Sequence, residues 1–227
     1  MNSFDIDANR VLQISNGIDV TQEVEKNELL NSSRLSVTAN VDEIISASVY
    51  IITVPTPIDK YNRPDLTPLI KASETVGKVI SKGDIVIYES TVYPGATEED
   101  CVPVLEIISG FKFNRDFYAG YSPERINPGD KGHTLATIVK VSAGDTPHSS
   151  EEIAKTYELV VGAGVHRAPN IKVAEAAKII ETAIICVIVF TSISTPSLLS
   201  LEACTLYPPI CWEASNTLTT LTPACNN

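Results

Sequence analysis

Short runs of β-branched residues alternate with amphipathic helical stretches through most of this 227-residue chain, and that alternation restricts the fold more than any other feature. Residues 48–54 read as a buried strand stopped by Pro55. Thr67-Pro68 reads as a helix start, a capping hydroxyl followed by a proline in the first turn. Leu69, Ile70, Ala72, Val76, Val79 and Ile80 supply one apolar stripe, and Gly83 after Lys82 is the stop signal. Residues 84–88 form the next strand. A loop from Glu89 to Gly95 follows, and Thr97 is placed as the cap of a helix with Glu98, Glu99 and Asp100 in its first turn. Residues 117–121 and 136–141 are further strand candidates; helices are expected over 150–160 and from Ile171. Strand–helix–strand alternation at this spacing implies parallel strands joined by right-handed crossovers, hence an open α/β fold.

Charge and cysteines narrow the classes of partner. Seventeen Lys and Arg stand against 28 Asp and Glu, a net charge of −11, which argues against nucleic acid or an anionic membrane surface. A phosphorylated small molecule needs only local donors and stays open. No basic segment followed by an apolar one opens the chain, so a cytoplasmic location is expected. Four of the five cysteines (Cys186, Cys204, Cys211, Cys225) lie late in the chain without CxxC-like spacing, so neither a metal nor a disulfide framework is expected. Cys101 reads as a small buried apolar residue. Residues 183–227 carry no Lys, Arg, Asp, His or Gly and break the alternation, with the look of a tail read out of frame. Residues 182–201 hold no charge, yet their Ser and Thr content, Pro196 and the lack of a basic flank argue against a membrane span.

The chemistry concentrates where strands end, since ligands of open α/β sheets sit beyond the carboxyl ends of the strands. Phe4-Asp5-Ile6-Asp7 places Asp5 at such an end, while Asp7 reads as the cap of a helix running through Arg10 to Ser15 with Gly17 as its stop. Val54-Pro55-Thr56-Pro57 is a rigid loop with one hydroxyl. Residues 90–97 present hydroxyls ahead of a helix N-terminus, a place that favours anions. In Tyr121-Ser122-Pro123-Glu124-Arg125-Ile126-Asn127-Pro128-Gly129-Asp130 a carboxylate and a guanidinium are held on a stiff loop between two prolines. A surface turn with a local ion pair is the plainer reading of that segment alone.

Taken together and in order, these segments resemble one family, the NAD-dependent UDP-glucose/GDP-mannose dehydrogenases. The nearest branch is the bacterial UDP-N-acetylhexosamine 6-dehydrogenases (GlcNAc, GalNAc or ManNAc) of surface-polysaccharide synthesis. The resemblance is carried by residues 54–60, 64–66, 89–99, 120–131 and 173–178, and it covers roughly residues 4–181. It implies oxidation of a sugar C6 alcohol to a carboxylate with NAD⁺ as hydride acceptor, through a cysteine thioester. By the same resemblance Thr91, Glu124 and Lys178 are catalytic positions. Thr91 would hold a water near the nicotinamide, Glu124 would act on the thioester and its water, and Lys178 would steady alkoxide charge. Arg125 and Asn127 match substrate-binding positions, and Asp5, Arg10, Thr56 and Thr91 cofactor-binding ones. From spacing alone, Lys178 is a solvated lysine on the polar face of a helix.

The resemblance also implies a Rossmann-like sheet that here lacks its first strand and glycine-rich turn, followed by the start of a central helical region. The expected division is 1–146 for a partial NAD-binding domain, 147–182 for the start of the helical, dimerising region, and 183–227 for the aberrant tail. Loss of a central strand is expected to leave unpaired strand edges. The family's Gly-Gly-His-Cys segment does not occur, so no cysteine is assigned as nucleophile and the chain is expected to be inactive. Two alternatives stand beside this: a non-catalytic fragment that binds a nucleotide sugar or a protein, and a protein tethered to a membrane through 182–201.

Overall fold

A computed structural model of the chain describes residues 1–21, 24–61, 63–124 and 137–181. They divide between two compact units, Met1–Ala176 and Ala177–Asn227. Arg125 and Asn127, the tail from residue 183, and the candidate span 182–201 lie outside the described residues.

The first unit holds a five-stranded sheet in the order β3 (Val49–Ile52), β4 (Ile85–Tyr88), β5 (Tyr118–Tyr121), β6 (Lys140–Gly144), β7 (Val165–Arg167). A separate pair is formed by β1 (Asn2–Phe4) and β2 (Ser36–Thr38). Strands β3, β4 and β5 run parallel with Ile52, Tyr88 and Tyr121 in one row. Strand β4 shows why this sheet is covered on both faces. All four of its residues are buried. Ile85 and Ile87 pack with Ile153, Tyr157 and Val161 of one layer, from α5 (Pro147–Glu158) and just beyond it. Val86 and Tyr88 point into the larger cluster with Leu69 and Val76 of α3 (Thr67–Gly77) and Leu105 of α4 (Val102–Ser109). A β-strand buried on both faces reads as a continuous apolar run, as Ile-Val-Ile-Tyr does here.

The sheet is mostly parallel, as expected, with one antiparallel step where β5 and β6 pair through Gly120↔Gly144 and Tyr121↔Ala143. An antiparallel step needs no crossover helix, and the sequence between these strands offers Pro123 and Pro128 rather than a helical stripe. Among the described residues no hydrogen bond ladder joins β1–β2 to β3, and Ile51 of β3 stays 44% exposed.

Several element boundaries shift for physical reasons. Strand β6 lies four residues later than its expected start, hidden because its Ser142-Ala143-Gly144 end is made of small residues rather than β-branched ones. Gly144 lacks a side chain where α5 sits on it: a Cβ there would come within 2.4 Å of the Ser150 backbone nitrogen. Helix α5 begins at Pro147 instead of Ser150, through a capping box in which Thr146 and Ser149 satisfy each other's backbone N–H. Thr67 is the first helical residue rather than the cap. Its N–H is taken by Asp65 Oδ1 at 2.9 Å. Asp7 does cap α1 (Ala8–Ser15), accepting from the Asn9 N–H at 2.9 Å, and Gly17 ends it with φ of +72°. Cys101 is fully buried and unpaired, and burial pushes its thiol up to about 12, which keeps it inert.

Gly144→Ala is expected to force α5 off the sheet and cost ~1–3 kcal/mol of stability, lowering the thermal midpoint, because the obstructing atoms are backbone and have no rotamer to change. Thermal unfolding followed by circular dichroism checks this; an unchanged midpoint would show that α5 is not seated as described.

Candidate functional site

The in-register row Ile52–Tyr88–Tyr121 brings three loops to one end of the sheet. Thr56 lies four residues beyond Ile52, and Thr91 and Glu124 each lie three beyond their strand ends, so all three follow the carboxyl ends of adjacent parallel strands. Ser90 ties these ends together. Its hydroxyl donates to the Val54 carbonyl at 2.5 Å, and its own carbonyl accepts from the Tyr121 phenol at 3.1 Å. Thr91 is exposed between buried Ser90 and Val92. Glu124 is half-buried. Thr56 places its Oγ1 in a buried position where it has no hydrogen-bond partner. Among the described residues this buried hydroxyl is unsatisfied, which costs free energy.

The helix N-terminus after this loop is not open to a ligand anion, contrary to the reading of residues 90–97. The buried carboxylate of Glu175 accepts from the Gly95 N–H at 2.5 Å and the Thr97 N–H at 3.0 Å. Thr97 does not cap the helix either; it lies in the wide first turn, Thr97–Cys101, and its hydroxyl has no partner. Glu175 thus does the capping from 78 residues away, seating the helical residues 171–176 on the loop. A signal for it was readable. Ile171, Ala174 and Glu175 fall on one helical face, and Glu175 is the polar residue in an otherwise apolar stripe.

At the carboxyl end of β1, Asp5 Oδ1 accepts from the Asp7 N–H at 2.8 Å. Arg10, on α1, binds Asp19 at 3.0 Å through Nη2, while its Nη1 is buried without a partner. Asp19 also accepts from the Thr21 hydroxyl, its strongest stabilising contact, and with Arg10 this holds the Asp19 carboxyl well below the usual value of 3.8. Lys178 belongs to the second unit, where its Nζ stands 4.0 Å from Glu181.

A mostly parallel α/β sheet with loops gathered beyond the carboxyl ends of its strands is the architecture of open α/β nucleotide-binding domains. More specifically, the chain belongs to the UDP-glucose/GDP-mannose dehydrogenase family, whose NAD binding domain matches residues 1–161. It is 60% identical over 178 residues to a UDP-N-acetyl-D-glucosamine 6-dehydrogenase of Pseudomonas aeruginosa, covering 78% of this chain and 42% of that protein. It is 58% identical over 178 residues to Protein CapL of Staphylococcus aureus, with the same two coverages, 78% and 42%. A solved UDP-D-ManNAc dehydrogenase from Pyrococcus horikoshii superposes with a TM-score of 0.75 at 30% identity, over 83% of this chain and 46% of that one. The chain spans less than half the length of these relatives. Among the described residues no helix is long and apolar enough to cross a membrane.

Two measurements test this construction. Glu175→Ala leaves two buried N–H groups without acceptors and should cost ~2–4 kcal/mol in urea unfolding, with Glu175→Gln losing less because it keeps one acceptor. Asp19 has a folded pKa below its unfolded one, so its contribution is complete above pH 3.8 and declines as pH falls below that value. The stability gap between the parent and Asp19→Asn is therefore expected at pH 7 and should shrink on acidification, in thermal melts across that range; a gap that widens in acid would reverse the assignment.

Proposed function

We propose that this chain carries the NAD-binding part of a UDP-N-acetylhexosamine 6-dehydrogenase site, with a UDP-sugar as the second ligand. The observation that carries the reading is the common row of Ile52, Tyr88 and Tyr121, which gathers Thr56, Thr91 and Glu124 at one sheet end. Identity of 56–60% to two UDP-N-acetyl-D-glucosamine 6-dehydrogenases supports the substrate class.

The residues present fit NAD. Asp5 and Arg10 would meet the adenine ribose, where Arg10 has an unused buried nitrogen, and the Thr56 hydroxyl would lie along the dinucleotide. When bound, the dinucleotide supplies the acceptor for hydride from the sugar C6 carbon. Thr91, exposed beside the same strand end, would hold a water with its hydroxyl. Glu124 would orient the water that cleaves the acyl group, and Arg125 and Asn127 would contact the sugar nucleotide. Lys178 would steady negative charge on the C6 oxygen, since preorganised charge is often the largest catalytic contribution. The acyl step requires a thiolate. Cys101 cannot be that group, being buried with its thiol raised to about 12. No Gly-Gly-His-Cys segment occurs in this sequence to place another cysteine there, so binding of both ligands without turnover is the expected behaviour of the chain, and the non-catalytic reading differs from this one only in what the full-length relatives do with the same site.

Calorimetric titration of the full chain with NAD⁺ and with UDP-N-acetylglucosamine, alongside NADH absorbance, tests this directly. Saturable binding of both with no NADH is expected; absence of binding refutes the site, and NADH formation refutes the lack of a competent thiolate. Thr56→Val sharpens the result, because it should weaken NAD⁺ binding ~2–10-fold while leaving the unliganded chain as stable or slightly more so, its orphan hydroxyl having been removed.

A further inference from the structure

The residue just past β4 is a carboxylate, and it is half-buried. Alternation along the strand continues Ile85 and Ile87 with Glu89 on the face covered by α5. There Glu89 Oε1 accepts from the Tyr157 phenol at 2.6 Å and pairs with Lys140 Nζ at 3.2 Å. Lys140, the first residue of β6, has a side chain only 3% exposed, and its ammonium lies 5.2 Å from the centre of the Tyr157 ring. The Tyr157 phenol is pushed far up, first by burial and then by the Glu89 charge, with a smaller contribution from Glu124. Other groups facing the cluster are Ser122, whose hydroxyl donates to the Val141 carbonyl at 2.7 Å, and Ser142, two residues from Lys140 on the same face of β6, whose buried hydroxyl has no partner.

A buried ion pair of this kind contributes little net stability, because the desolvation of both charges offsets their attraction, and well-packed neutral replacements are often equally stable. Its geometry suggests another use. Glu89 adjoins the Ser90–Thr91 loop after β4 and is held by Lys140 and Tyr157; Ser122, at the start of the loop to Glu124 after β5, bonds the carbonyl of Val141 beside Lys140 and also interacts with the Tyr157 phenol. We propose that Glu89, Lys140 and Tyr157 are positioning residues: their buried cluster holds the loops of Thr91 and Glu124 at a set separation, so that a nucleotide sugar finds both side chains already placed. The role in ligand binding rests on the function proposed above; the role in ordering the two loops does not.

The test compares the full chain with Glu89→Gln/Lys140→Met, which neutralises both charges together and keeps an acceptor for the Tyr157 phenol. Hydrogen exchange by mass spectrometry is read over residues 89–93 and 121–124, with Ile85–Tyr88 and α5 as internal references, and thermal midpoints are recorded. The expected result is an unchanged midpoint and unchanged reference segments, with exchange in both loops about tenfold faster. UDP-N-acetylglucosamine affinity, by titration calorimetry, should fall about tenfold as well. Loops as protected as in the parent, or loops and references loosened equally, would overturn the proposal, since a merely structural cluster moves everything together. Loosened loops with undiminished affinity would overturn the link to binding. Should the parent bind no nucleotide sugar, the function proposed above fails, and the exchange pattern alone decides whether the cluster orders the loops. As a control for folding, Lys140→Met alone should lower the midpoint, because it leaves the Glu89 carboxylate buried and unpaired.

Discussion

Strand β4 is buried on both faces, and the rest of the first unit follows from that requirement. Its residues Ile85, Val86, Ile87 and Tyr88 are between 0% and 6% exposed. Two layers must cover them, so α5 takes one face while α3 and α4 take the other. Once β3 and β5 flank β4 in parallel, every one of these strands ends at the same side. Backbone groups and polar side chains that cannot enter the core collect there. The site is thus a consequence of a dry central strand, in the same way that ligands of open α/β sheets gather beyond strand ends.

Polar order at that end is kept by carboxylates turned inward. Glu175 accepts two N–H groups at the start of the Thr97 helix, and Glu89 is held by Lys140 and Tyr157 on the opposite side of the sheet. Between these two anchors lies the loop with Thr91 exposed. A loop fixed at both ends gives up little freedom when a ligand arrives, and that favours binding without any added contact. The helix N-terminus that sequence reading offered to a ligand anion is already neutralised from within. Among the described residues, buried polar atoms without a hydrogen-bond partner remain at Arg10, Thr56, Thr97 and Ser142.

How much of this was legible depends on how local each signal is. The α/β class, β3, β4, β5 and α1 could be read because runs such as Val-Tyr-Ile-Ile and a capping Asp7 are self-contained statements about the backbone. Strands β2 and β7 escaped because three residues carry too little periodicity to register. Strand β6 was read four residues too early because close packing demanded Gly144 at its end, a residue that propensity assigns to turns. Thr97 and Thr67 were both read as caps, and in both cases a carboxylate does the work: Asp65 from two residues away, Glu175 from another helix. The candidate residues Thr56, Thr91 and Glu124 were found through their place at strand ends. Glu89 and Lys140 were not, since neither is unusual until the fold buries it.

The amino-acid sequence by itself determined the family, the sheet's buried strands and the loops that follow them, because hydrophobic periodicity and proline stiffness act over a few residues. Tertiary structure alone decided which polar groups meet: Glu89 with Lys140, Glu175 with Gly95 and Thr97, Ser90 with Val54 and Tyr121. Among the described residues it also decided which buried groups stay unpartnered, at Arg10, Thr56, Thr97 and Ser142. The physical reason is range. A buried charge or hydroxyl is stabilised by whatever lies within hydrogen-bond distance, and that neighbour stands tens of residues off along the chain.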